Sequence, residues 1–342
     1  PPQIESVVPI PDNAAGGPVA DKPRNVILQV NFDEPVLPTV VSGKTITLGP
    51  TGTLTTSGVL QPGTFDKLRA RLLGNAGALT ETFIAGEWKL GNQYQTSEFW
   101  TTDLCGRNSC GGEVFCLPGP EHLAVEALAA SLFKSGEPAS KGLFDGIEDV
   151  AGNSLDGNRD GKTQGPTAFY NLNLPENKTG DNVRWSFFTA DTIDLTAPLV
   201  QSTAPALQSS GAPLLSPLEI TFTKPMARST LNSENLDLAG TEKATGKFWD
   251  TWWDVVSENL PRPEPPPAPL PDPQQTKALV RHGGLWAETD YQSAVRSEVK
   301  DLFQNCFFPS GGGACVPTAA QPYCCNGTAC AAGEVNCKVC GF

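Results

Sequence analysis

The amino-acid sequence predicts an all-β chain: two β-sandwiches in tandem, with a small disulfide-rich module behind them. Three observations carry that expectation. Glycine (34) and proline (31) make up about a fifth of the 342 residues, and a chain so composed is full of turns. Thr, Val, Ser and Phe fill the segments between those turns, which favours short strands. The chain also resembles itself at a spacing of about 190 residues, which means two related domains rather than a solenoid of short repeats. A chain of this length has room for two or three domains.

The repeat is visible residue by residue. Pro2-Gln-Ile-Glu-Ser-Val-Val-Pro9 matches Pro198-Leu-Val-Gln-Ser-Thr-Ala-Pro205. A second alternating segment follows in each copy, "NVILQVNFDEPV" (25–36) and "PLEITFTKPM" (217–226). Both close on Phe, two residues, then Pro: Phe32 to Pro35 and Phe222 to Pro225. Each is followed by a stretch with apolar residues two apart, "KTITLG" (44–49) and "ENLDLAG" (234–240), the period of a strand with one face buried. Further along the first copy, "HLAVEALAASLF" (122–133) has the Ala and Leu content of a helix. Leu123, Val125, Ala127 and Ala129 alternate, however, and Pro118, Pro120 and Pro138 bracket the segment, so a strand is expected. "NVRWSFFTAD" (182–191) reads as a closing strand and "TIDLTAP" as a connector. Some seven short strands separated by turns make the pattern of a β-sandwich.

Taken in order, "PxIxSVxP", "ILQVNFDEPV", "GIEDVAGNSLDGNRDG" and "WSFFT" resemble the bacterial Ig-like domain first described in S-layer proteins. That family has a strand ending in F-S-x-P-hydrophobic and a late D-x-A-G-N-x-L turn, which falls here on Asp149, Ala151, Gly152, Asn153 and Leu155. The resemblance covers 1–195 well and 197–308 more loosely, because the second copy lacks the D-x-A-G-N turn. It implies tandem Ig-like β-sandwiches: domain 1 over 1–195, and domain 2 over 196–308 with a Pro-rich insertion at 261–275. A Cys-rich module over 309–342 lies outside it. Cysteine-bearing versions resemble large surface proteins of uncultivated small-genome bacteria. The resemblance implies an extracellular architectural or adhesive role and no particular reaction.

Charge and cysteine agree with that setting. The formal charge of −13 repels nucleic acid and anionic lipid and suits a protein that binds cations. No apolar run reaches the roughly 18 residues of a membrane span. Position 1 is not Met, so the chain reads as processed or cropped, with any signal peptide out of view. The ten cysteines are Cys105, Cys110 and Cys116, then Cys306, Cys315, Cys324, Cys325, Cys330, Cys337 and Cys340. Seven in the last 37 residues is the density of a disulfide-stapled module. "CKVC" (337–340) has the gap of a zinc knuckle, yet that region has no histidine and the adjacent Cys324 and Cys325 suit tetrahedral ligation poorly. Both cysteine groups are odd in number, so either a bridge joins them or a thiol remains for another chain.

The stretch "SLDGNRDGKTQG" (154–165) is the candidate site. Calcium takes hard oxygen ligands at alternating positions, with glycine where the loop turns sharply. Asp156, Asn158, Asp160 and Gly161 supply the first, third, fifth and sixth places, and the Lys162 main-chain carbonyl the seventh. The twelfth place holds Thr167, so the usual bidentate Glu is missing. Asp149, Glu148, Glu176 or Asp181 would have to fold in. The competing reading is a solvated Asp/Asn/Gly turn. Ca2+ is the expected cofactor, filling a weak extracellular-type site of about 0.1–1 mM.

Enzyme signatures fail on context. "SLFK" (131–134), "SEVK" (297–300) and "KTG" (178–180) match fragments of the penicillin-recognising motif set, but Ser131 lies late in an alternating strand and not at the start of a helix. His122 and His282 stand alone, and His122, next to a strand, reads as a surface or packing residue rather than a base. In "KFWDTWWDVV" (247–256), Trp249, Trp252 and Trp253 form either a sugar-stacking platform or, as large aromatics more commonly do, part of a core or subunit interface. "PRPEPPPAPLPDPQQ" (261–275) cannot pair in a sheet and reads as a polyproline-like arm. The expected partners are further copies of the same chain, joined by strand addition of residues 1–10.

Overall fold

The structure is a computed structural model. It describes residues 1–12, 21–38, 43–47, 58–60, 67–74, 78–108, 111–131, 146–174, 178–206, 209–261, 273–307, 320–321, 323–325, 328–331 and 334. The fold is all-β. The described chain divides into two compact units: Pro1–Gly106 with Glu113–Asp194, and Arg107–Gly112 with Leu195–Pro261 and the segment from Pro273 onward. No helix among the described residues is long and apolar enough to cross a membrane.

In the first unit one sheet takes its strands in the order β1 (Ile4–Val8), β2 (Leu28–Phe32), β8 (Thr96–Thr101), β7 (Gly86–Gly91), β3 (Gly43–Thr47), β4 (Gly58–Leu60). A second runs β12 (Phe169–Asn171), β13 (Asn182–Phe188), β11 (His122–Ala127), β5 (Leu68–Leu73), β6 (Leu79–Phe83). The ribbon β9 (Leu104–Arg107) with β10 (Glu113–Phe115) stands apart; the Cys105–Cys116 disulfide, with its Cα atoms 5.7 Å apart, joins the start of β9 to the residue after β10. In β13 the alternation read from the sequence is the alternation of burial: Val183, Trp185 and Phe187 are buried while Arg184, Ser186 and Phe188 are not, because successive side chains of a strand point to opposite faces. β11 is buried on both faces from Leu123 to Ala127. Each fully buried Leu, Val or Phe contributes about 1.5–3 kcal/mol.

The opposite faces carry buried polar groups that satisfy one another. Glu126 of β11 accepts from Arg184 Nε at 2.9 Å and from Arg71 of β5. Asn31 of β2 donates to Ser6 Oγ and accepts from Thr96 Oγ1, at 3.0 and 2.9 Å. Such groups are tolerated inside only when hydrogen-bonded.

The second unit rebuilds part of the first. Its sheet runs β14 (Val200–Ala204), β15 (Leu218–Phe222), β18 (Gln275–His282), β17 (Trp253–Leu260), and a pair is formed by β16 (Leu236–Glu242) and β19 (Thr289–Val295). β14 and β15 pair Val200 with Phe222, bulge, then pair Ser202 with Thr221, Thr203 with Ile220 and Ala204 with Glu219. β1 and β2 pair Ile4 with Phe32, bulge at the corresponding place, then pair Ser6 with Asn31, Val7 with Val30 and Val8 with Gln29. The β7–β8 hairpin beside β2 has its counterpart in β17–β18 beside β15. The core of this unit gathers Ile220, Phe222, Met226, Leu236, Trp249, Val280 and Phe307.

One expectation is corrected. The second copy does have the Asp turn, closed without the A-G sequence. In the first copy Asp149 Oδ1 accepts the N–H of Ala151 and of Asn153, and Oδ2 accepts Asn153 Nδ2. In the second, Asp301 Oδ1 accepts the N–H of Phe303 and of Asn305, and Oδ2 accepts Asn305 Nδ2. The bridges flanking the two turns also match, Val36 to Asp149 with Glu148 to Ser154, and Met226 to Asp301 with Lys300 to Cys306. The left-handed position is Gly152 (φ 81°) in one and Gln304 (φ 65°) in the other. Glycine announces such a position; glutamine hides it.

The first unit also carries more strands than the seven or so expected, because residues 67–107 supply hairpins that their mixed composition did not announce. Trp253–Leu260 is a strand, and its neighbouring Val255 and Val256 are both buried. In the C-terminal region β20 (Tyr323–Cys325) pairs with β21 (Thr328–Cys330). The Pro-rich run over 262–272 lies outside the described residues.

Candidate functional site

Residues 154–165 form a tight loop between Ser154, bridged to Glu148, and the approach to β12. Asp156 is fully buried and organises it: Oδ1 accepts the Asp160 N–H at 3.2 Å and Oδ2 the Gly161 N–H at 2.9 Å. Asn158 Oδ1 accepts the same Asp160 N–H at 3.0 Å. Asp160 Oδ1 accepts the Lys162 N–H at 2.8 Å, and its Oδ2 accepts Gln164 Nε2 at 2.7 Å. Gly161 turns with φ 80°, a conformation that L side chains rarely adopt.

Of the three remote acids among the described residues, one folds in. Asp181, at the foot of β13, is fully buried. Its Oδ2 accepts the N–H of Gly165 at 3.1 Å and that of Gln164. Its Oδ1 is buried with no hydrogen-bond partner. Burial pushes its pKa up; the Gln164 and Gly165 N–H groups oppose that rise, and the charges of Asp156 and Asp160 add to it. Gly157 seats the loop on this residue, for a Cβ there would lie 2.0 Å from the Asp181 carbonyl oxygen. Asp149 is committed to its own turn: burial alone would raise its pKa, but the Asn153 and Ala151 donors bring it below the usual range. Glu148 is buried on the strand side, where its carbonyl accepts the Leu37 N–H. Glu176 lies outside the described residues.

The loop also closes the free edge of β1. The Asp156 N–H donates to the Pro2 carbonyl at 2.9 Å, Gln3 Nε2 donates to Asp156 Oδ2 at 2.8 Å, and the Arg159 guanidinium donates to the Ile4 carbonyl. Sequence reasoning missed this clasp, because nothing in residues 154–165 names residues 2–4 as neighbours. Among the described residues no three Asp, Glu, His or Cys side chains already converge as a metal cage; the loop's carboxylates are turned onto its own N–H groups.

The other singled-out residues separate. Trp249 is core: buried, donating Nε1 to the Gly284 carbonyl at 3.1 Å and edge-on to Tyr291. Trp253 packs against the same cluster. Trp252 faces out, 64% exposed, as does Phe248 at 75%. His122 stacks on Phe188 with centroids 4.0 Å apart, its Nε2 3.4 Å from Asp12 Oδ2. Burial lowers its pKa. Cys306 is disulfide-bonded. Cys110, Cys315, Cys337 and Cys340 lie outside the described residues.

No protein-family model matches the chain, and no curated protein matches it. Among solved structures it is similar to the N-terminal part of the bacterial S-layer protein SbsC, at 14% identity over 75% of this chain and 40% of that one, with a TM-score of 0.23. It is also similar to the S-layer protein rSbsC(31-844), at 13% identity over 75% of this chain and 23% of that one, again with a TM-score of 0.23. The chain thus spans well under two thirds of either, and at these scores the likeness carries no inference about its fold or activity.

Proposed function

We propose that the chain is an extracellular structural protein, a subunit of a cell-surface filament, appendage or surface layer assembled from copies of itself. The observation that supports this reading is the doubling of one scaffold: the same bulged strand pair, neighbouring hairpin and Asp-closed turn stand in both units. Repetition of one β-scaffold within a chain suits an architectural role. The polar groups at the two Asp turns hold backbone, and the reading assigns the chain no reaction. The sequence resemblance to the S-layer-type Ig-like domain and the acidic, cysteine-rich composition favour a setting outside the cell. Self-association by strand addition uses β1, the terminal strand of its sheet. A neighbour's residues 1–10 taking its place would refill the sites of Ile4, Val7 and Val8. Electron microscopy of the purified native material tests the reading. Ordered fibres or sheets are the expected result, and discrete single chains at every concentration contradict it.

Trp252 favours a second reading. A tryptophan ring exposed beside an exposed Phe248 suits stacking on a sugar, and would make the second unit adhesive. Glycan-array binding abolished by Trp252→Ala supports that role; no glycan bound by the parent chain removes it.

A further inference from the structure

We propose that the 156–162 loop and Asp181 together form a calcium site, with oxygens from Asp156, Asn158, Asp160, the Lys162 main-chain carbonyl and Asp181 Oδ1. The loop pattern alone leaves the site without its closing acid. The structure supplies that acid from outside the loop, at Asp181, the residue just before β13. Asp181 Oδ1 is the telling atom, a carboxylate oxygen fully buried and without any donor. An oxygen in that state is costly unless something positive meets it, and its partner oxygen is already fixed on the same loop by Gln164 and Gly165. Asp156 Oδ1, Asn158 Oδ1 and Asp160 Oδ1 each accept one N–H from the loop and keep a lone pair for a cation, whereas Asp156 Oδ2 is filled by the Gly161 N–H and Gln3 Nε2. Five protein oxygens plus water reach the six to eight that calcium takes, and the mixture of carboxylate, amide and carbonyl suits that hard ion over softer metals. Closing the cage requires the Asp160 side chain, which is exposed, to swing from Gln164 towards Asp181. Because Asp156 and Arg159 hold the Pro2 and Ile4 carbonyls, a filled site also fixes β1 in its own sheet. The inference does not rest on the structural role proposed above.

The test uses the full chain, calcium alone as the probe, and calorimetric titration alongside thermal unfolding in EDTA. Calcium at millimolar concentration is expected to bind and to raise the unfolding midpoint, with EDTA reversing the shift and magnesium at the same concentration failing to reproduce it. Asp181→Asn keeps the shape of the side chain and removes its charge. It is expected to weaken calcium binding at least tenfold while unfolding in EDTA no lower than the parent. Asp160→Asn, on the exposed side of the loop, is expected to weaken binding at least tenfold with an unchanged EDTA midpoint. A parent chain that ignores calcium overturns the proposal. So does parental affinity in either variant, or an equal response to magnesium.

Discussion

Glu126 shows how one residue holds a sheet together. It is fully buried between Arg71 and Arg184, each of which lies against an aromatic ring, Phe83 and Phe169. Removing one member of a buried charge group strands the others. Glu126→Gln is therefore expected to cost about 3–5 kcal/mol, seen as a lower urea midpoint at unchanged slope; an unchanged midpoint would refute the assignment. Asp12 makes the pH prediction. Burial, with the Asp21 charge adding to it and the Phe188 N–H and Lys22 opposing, pushes its pKa from 3.8 up to about 6. Below pH 3.8 the carboxyl is protonated in both folded and unfolded chains. Between there and about 6 only the unfolded chain gives up its proton, so stability falls as pH rises through that window. His122, whose pKa is lowered, acts in the opposite sense, contributing stability above its ordinary value and losing it as pH falls. Asp12→Asn should abolish the loss between about pH 4 and 6 in paired denaturation curves, and curves that stay parallel to the parent's would contradict the pKa assignment. Neither residue was legible in the sequence. A Glu in an alternating strand looks like a solvated face, and only the register with β5 and β13 brings two arginines to it.

At the scale of elements, the Asp turns explain why sequence reading succeeded once and failed once. Asp149 to Asn153 carries Gly152 at the left-handed position, and the pattern is readable. Asp301 to Asn305 keeps only the first and last residues, yet those two make nearly all of the side-chain bonds that define the turn. The second turn adds an ion pair, Lys224 Nζ to Asp301 Oδ2 at 2.6 Å, with Asp301 fully buried. Burial raises the Asp301 pKa, opposed by Lys224 and Asn305. Asp301→Ala is expected to cost about 3–5 kcal/mol and to speed amide exchange at positions 227, 301 and 307, whose N–H groups bond across this turn. Exchange at those amides that matches the parent's would contradict the turn's role. Strand alternation, by contrast, was readable in 182–188, where one face meets the core, and in 122–127, where the apolar residues alternate with Ala124 and Glu126 although both faces are buried. It was ambiguous in 247–256, where Trp249 packs inward and Trp252 outward only three residues apart, because the irregular stretch before β17 resets the period.

For the molecule as a whole, the fold class was legible because it rests on local pattern, turn residues and alternation, and the two matching openings fall on strand pairs of the same register. The candidate site was half legible. Alternating oxygens are written into 156–162, but the choice of Asp181 over Asp149 is tertiary, set by Gly157 lying on the Asp181 backbone and by Asp149 closing its own turn. The central claim is that both units are built on one strand register with one bulge. A map of cross-strand NMR contacts in the full chain tests it most directly. The account predicts Val7 opposite Val30 and Thr203 opposite Ile220, with the pairing interrupted at Glu5 and at Gln201. A one-residue slip in either pair, or a bulge in one unit without the other, would contradict it.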